Sequence, residues 1–233
     1  MATAVKTAEQ PIEQFVEQHV EQPNVILHNV SWETYERLIK EHGEQCGTRF
    51  TYDEGTLQIM IISFEHESSN RTLSTIVEAL ADGFDIDYEP AGSTTFKRKD
   101  IKRGFEPDSC FYFHQPEAIR GKKRLDLTKD APPDLIIEVD VTHGSLDRLP
   151  IFAAIGVAEV WRYENEVVKF FLLIDNSYIE SSTSSVLPGV TSASVIQFIA
   201  DSYTIRRVEL ARKVRAWASS LSNQPQPYQP ENQ

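Results

Sequence analysis

The sequence predicts one α/β domain, a mixed β-sheet flanked by helices, on three observations. The run DLIIEVDV (134–141) is nearly continuous in apolar, β-branched residues, as a strand covered on both faces is. It is followed by SLDRLPIFAAIG (145–156), with the pattern of a short helix, and by AEVWRYE (158–164), a second strand. Strand, helix and strand at this spacing form a crossover unit, so part of the sheet is parallel. Finally, 233 residues with 40% apolar content and a mean hydropathy of −0.35 suffice for one sizeable core with polar tails.

Residues 1–23 are rich in Glu and Gln, with a trace of helical spacing at Ile12, Phe15, Val16 and Val20, and read as a flexible N-terminal arm. The domain is expected over 24–221. Ser31 caps a first helix, SWETYERLIKEH, with Trp32, Tyr35, Leu38 and Ile39 at helical spacing. RFTYDEGTLQIMII (49–62) is a hairpin turning at Asp53-Glu54-Gly55, where Gly supplies positive φ. A second helix over 65–82 aligns Leu73, Ile76, Val77 and Leu80 and is expected to stop before Gly83. Further strands are expected at 86–96, 108–113 and 167–174, besides the two of the crossover. In the crossover helix Pro150 sits near the start, where a missing N–H costs least, and Gly156 ends it. Residues 192–220 make one or two closing helices, and SNQPQPYQPENQ (222–233) reads as a disordered tail.

The opening residues lack a charged start followed by an apolar stretch, so no secretory signal is expected, and no apolar run nears the roughly 20 residues of a spanning helix. A cytoplasmic protein without membrane contact is the expectation. Cys46 and Cys110 are expected to be inert core thiols. There is no GxxxxGK[ST], GxSxG, HExxH or CxxC, and Ser145 lacks the glycine frame of a nucleophile elbow. Trp32, Trp161 and Trp217 read as core or surface anchors.

With 23 basic and 35 acidic residues the net charge is −12, which disfavours a polyanion partner on average. The charge is uneven. Residues 97–129 carry ten basic groups, beginning with Lys97, Arg98, Lys99, Lys102 and Arg103, against five acidic ones, so this stretch is the expected contact for DNA if it is more than a solvated loop.

Carboxylates in buried strands need a partner, because an isolated buried charge is costly. Asp108 opens DSCFYF, and Glu138 lies inside DLIIEVDV with Asp140 two residues on, on the same face. Converging carboxylates make an oxygen-ligand site of the kind Mg²⁺ or Mn²⁺ prefers. Each has an alternative: Asp108 as a turn or capping residue, and Glu138 as the partner of Arg148 in a metal-free salt bridge.

The combination of Glu106-Pro107-Asp108-Ser109, PDLIIEV (133–139), SLDRLPIFAAIGVAEVWRY (145–163), GTLQIM (55–60) and EHE opening a helix (65–67) resembles the Uma-type putative restriction endonuclease family, of the PD-(D/E)XK nuclease superfamily, over roughly residues 25–200. The resemblance implies a restriction-endonuclease-like core with a divalent metal held by acids from two adjacent strands. Asp108 and Glu138 match the two metal-binding acids, and His66 matches a histidine at the start of the preceding helix, alternatively a capping or exposed residue. The superfamily's lysine position holds Asp140 here. The matching basic group is Arg148, which stabilises transition-state charge but cannot act as a base. The implied function is Mg²⁺-dependent hydrolysis of DNA. The alternative is a catalytically inactive nuclease-like fold used as a binding or assembly module. A homodimer through the aromatic strands AEVWRYE and VVKFFLLI is compatible with either.

Overall fold

The computed structural model describes residues 24–43, 47–140 and 146–222. The expected arm over 1–23, almost all of the expected tail, Cys46 and Ser145 lie outside the described residues. In chain order the elements are β1 (Asn24–Leu27), α1 (Trp32–His42), β2 (Thr48–Asp53), β3 (Thr56–Ile61), α2 (Phe64–Phe84), β4 (Glu89–Pro90), β5 (Phe96–Arg98), β6 (Arg103–Phe105), β7 (Ser109–Tyr112), β8 (Leu135–Asp140), α3 (Leu149–Ile155), β9 (Glu159–Glu164), β10 (Val167–Ile174), β11 (Ser177–Ser181), α4 (Ser192–Ser202) and α5 (Arg207–Ser222).

The local signals act as expected. The Ser31 hydroxyl accepts from the Thr34 N–H at 3.1 Å and starts α1. Glu54 and Gly55 both take positive φ, 45° and 106°, and turn β2 into β3. Gly156, at φ 91°, ends α3. β8 and β9 run parallel with α3 as their crossover.

The α/β prediction holds, but the strands form two sheets rather than one. An antiparallel sheet has the order β1-β3-β2-β6-β5, and a mixed sheet the order β11-β10-β9-β8-β7-β4. The β2–β3 hairpin joins β1 and β6 and makes no ladder with the crossover strands. Of the strand expected over 86–96, only Glu89–Pro90 and Phe96 are extended ladder, because Pro90 removes a donor and Gly92 turns the chain at φ 57°.

The mixed sheet buries one face against α2, α4 and α5, with Leu73, Ile76, Leu135, Ile137, Trp161 and Phe170 at the centre. Its other face packs on α3 through Cys110, Ile136, Phe152 and Val160. Burial raises the Cys110 thiol pKa well above its usual range, in keeping with an inert core thiol. Trp161 stacks on Phe170 at 4.4 Å inside the first core. Of the aromatic residues on the strands expected to form a homodimer interface, Trp161, Tyr163 and Phe170 are therefore interior.

Gly83 does not stop α2, which runs to Phe84 and is capped by Asp85 at φ 58°. Its role is close packing: a Cβ there would stand 2.5 Å from the Arg215 carbonyl and 2.6 Å from Ala218 Cβ on α5. Gly83→Ala should push α5 off α2 and cost about 1–3 kcal/mol, read by urea unfolding; a variant as stable as the wild type would refute this contact.

Candidate functional site

β7 and β8 are antiparallel, with Ser109 opposite Ile137 as the last pair of their ladder. Just beyond that pair come Asp108, before β7, and Glu138, inside β8, close enough that the charge of Asp108 acts on Glu138. Both are buried, at 2% and 6% exposure. Asp108 Oδ2 accepts from the Val139 N–H at 2.8 Å and stands 3.1 Å from His66 Nε2. Glu138 Oε2 accepts from Arg148 Nη1 at 2.5 Å.

Two elements deliver the basic groups. Ser63 caps α2 by accepting the His66 backbone N–H at 3.2 Å, which fixes the first turn and sends the buried imidazole toward Asp108. His66 is thus neither an exposed residue nor the capping side chain. Arg148 occupies the N-cap position of α3, directly before Leu149 and Pro150, and its guanidinium lies inward, 3.9 Å from Met60 Sδ of β3.

The charges answer one another. Burial pushes the Asp108 pKa upward, but the nearby charge of His66, the charge of Arg148 and the Val139 N–H outweigh it and hold Asp108 below the ordinary carboxylate range. Burial likewise opposes charge on His66, and the Asp108 carboxylate, helped by Glu138, still raises the imidazole above its usual value. Glu138 is pushed up to about 7 by burial, with the Asp108 charge adding and Arg148 offsetting. One acid of the pair is therefore held ionised while the other titrates near neutrality.

Asp140, at the end of β8, borders a cavity of about 260 Å³ together with Glu138, Arg148, Arg162 and Met60. Its charge acts on Arg148. Among the described residues, however, no group of three or more His, Cys, Asp or Glu side chains is arranged to hold a metal ion, so the expected third ligand does not complete a cage with Asp108 and Glu138. The pair itself fits a hard dication. Asp108 Oδ1 and Glu138 Oε1 are buried with no hydrogen-bond partner, one open oxygen on each acid. Mg²⁺ commonly keeps several waters and takes one or two carboxylates.

The basic stretch is less available than its sequence implies. Lys97 pairs with Glu36 at 3.2 Å, Arg98 with Asp100 at 2.6 Å, and Arg103 with Asp53 at 2.7 Å. Arg120, Lys122 and Lys129 also meet carboxylates. Of the five expected nucleic-acid contacts, Lys99 and Lys102, at the exposed β5–β6 turn, make no ion pair among the described residues. Sequence reading also missed Arg162, which lies beside Glu138 in the parallel β8–β9 register and over the Phe171 ring at 5.3 Å. Its signal was present: a lone cation between Trp161 and Tyr163, inside a strand bounded by Glu159 and Glu164.

The family model described as Uma2, putative restriction endonuclease, matches residues 32–201. No curated protein matches the chain. Among solved structures, a putative nuclease belonging to DUF820 from Anabaena variabilis is similar at 12% identity, with a TM-score of 0.49, over 72% of this chain and 98% of that one. No helix among the described residues is long and apolar enough to cross a membrane.

Proposed function

The chain belongs to the Uma2 family of putative restriction endonucleases, and from that premise we propose that it is a metal-dependent endonuclease hydrolysing phosphodiester bonds of DNA. The observation that carries the reading is the buried pair Asp108 and Glu138, electrostatically coupled and each with one open oxygen. These two would hold a Mg²⁺ or Mn²⁺ ion. Such an ion supplies Lewis-acid stabilisation of the charge that builds on a phosphate under attack.

The remaining chemistry belongs to the chain. Asp108, ionised and held by His66 and the Val139 N–H, is a fixed negative anchor. Glu138, whose pKa burial raises to about 7, would have to release its proton to hold the ion. Arg148 and Arg162 place permanent positive charge beside it, suited to phosphate oxygens and unable to serve as bases. Backbone contact to DNA falls to Lys99 and Lys102, because Lys97, Arg98 and Arg103 are engaged by carboxylates.

A second reading, a nuclease-like binding or assembly module, draws on the Arg148–Glu138 pair, which already neutralises one acid without a metal. Plasmid nicking separates the two. With Mg²⁺ or Mn²⁺ the wild type should convert supercoiled DNA to open circles, and Asp108→Ala with Glu138→Ala should lower that rate at least about 10²-fold. Wild-type protein inert with both metals would favour the module. Nicking that survives the double substitution would belong to a contaminant.

A further inference from the structure

We infer that Asn70 is a positioning residue that fixes the strand entry carrying Asp108, through a buried chain of hydrogen bonds running from α2 to β7; the inference rests on the reading of Asp108 as a site residue. His66, Asn70 and Ser74 stand at i, i+4 and i+8 on α2 and form a buried polar stripe in a helix whose neighbouring stripe, Leu73, Ile76, Val77 and Leu80, is core. Polar groups in that interface are costly unless satisfied. Here they satisfy one another. The Ser74 hydroxyl donates to Ser109 Oγ at 2.9 Å, the Ser109 hydroxyl donates to Asn70 Oδ1 at 2.8 Å, and Asn70 Nδ2 donates to the Asp108 carbonyl at 3.0 Å. The carbonyl only accepts, so the amide orientation is fixed by chemistry, and every donor points one way along the chain.

The location explains why the stripe is retained. Asp108 lies just before β7 begins and just after Pro107, so its own N–H and C=O fall outside the β7–β8 ladder. Asn70 supplies the missing anchor on the carbonyl, and His66, one turn earlier on the same helix, meets the carboxylate. One helix face thereby grips Asp108 at both backbone and side chain. Supporting groups of this kind typically change metal affinity about 10–100-fold when removed.

The test reads the position of Asp108 without activity. The Val139 N–H donates to Asp108 Oδ2, so its resonance in an amide correlation spectrum of the metal-free full chain reports where that carboxylate sits. Asp108→Ala sets the position for complete loss. Asn70→Leu, which keeps the volume and removes the anchor, should move the Val139 amide most of the way toward it, whereas Ser74→Ala, at the far end of the chain, should leave it near the wild-type position. Mn²⁺ affinity should follow, about 10-fold or more weaker in Asn70→Leu and unchanged in Ser74→Ala. If Asn70→Leu does not fold, Ser109→Ala, which frees Asn70 to rotate, should give the same shift at smaller size. A Val139 amide that stays put without the Asn70 anchor, or moves equally in Ser74→Ala, would overturn the inference. Absence of Mn²⁺ binding in the wild type would instead sink the metal reading, and the amide would still decide the role of Asn70.

Discussion

By pH 9, Arg148→Met is expected to be less stable than the wild type by about 3 kcal/mol, at roughly 1.4 kcal/mol per pH unit, and near pH 5 the difference should vanish or reverse. Glu138 has a folded pKa of about 7, above the ordinary 4.5, so the folded protein holds a proton that the unfolded chain has released across that window. Stability therefore falls as pH rises from 4.5 to 7 and this group adds no further slope beyond it. Arg148 is the positive group that keeps the Glu138 pKa from climbing further. Without it the pKa climbs, and the loss continues through alkaline pH. At pH 5 the folded Glu138 is protonated with or without Arg148, so this contribution is the same in both proteins, and a methionine beside Met60 replaces a guanidinium that was costly to bury. Urea unfolding at pH 5 and pH 9 measures both ends. A pH-independent cost would mean that Arg148 stabilises the fold by packing rather than through Glu138.

Glu159→Ala should cost about 4 kcal/mol, since each buried donor left unsatisfied costs roughly 1–3 kcal/mol. Glu159 is fully buried at the start of β9. Its carboxylate accepts from Trp161 Nε1 at 2.5 Å, from the Ser185 N–H and hydroxyl at 2.7 Å each, and from the Val186 N–H at 3.2 Å. It pins the segment after β11 to the strand beside β8 and orients the tryptophan that stacks on Phe170. Urea unfolding followed by tryptophan fluorescence reports both effects, and a loss below about 1 kcal/mol would show that water replaces the carboxylate.

What the sequence made legible follows the range of each signal. Ser31, Glu54-Gly55 and Gly156 act within a few residues, and the structure places each where its local chemistry required. The crossover was readable because β8 is a long apolar run with a proline-marked helix after it. β5 and β6 were not, since three-residue strands bearing Lys97, Arg98 and Arg103 have no alternation to detect. For the same reason the division into two sheets stayed hidden. Gly83 looked like a stop, and only the approach of α5, more than 130 residues later in the chain, reveals it as a packing position.

The candidate site divides along the same line. Asp108 and Glu138 were legible as carboxylates beside and within apolar runs, and both are buried, with the charge of Asp108 acting on Glu138. Asp140 shares the alternation but stands at the strand end beside the cavity, where alternation alone does not bring it to the pair. The basic stretch misled because Glu36 and Asp53, which neutralise Lys97 and Arg103, come from distant parts of the chain. Arg162 was missed because pairing across a parallel crossover cannot be counted along a sequence.

The central claim is that Asp108 and Glu138 jointly hold one divalent ion, and calorimetric titration with Mn²⁺ at pH 6 and pH 8 tests it most directly. The account predicts one site, tighter at pH 8 because Glu138 releases its proton near pH 7, and lost in both Asp108→Asn and Glu138→Gln. Binding that persists in either variant, or a wild type that takes up no Mn²⁺ at pH 8, would contradict it.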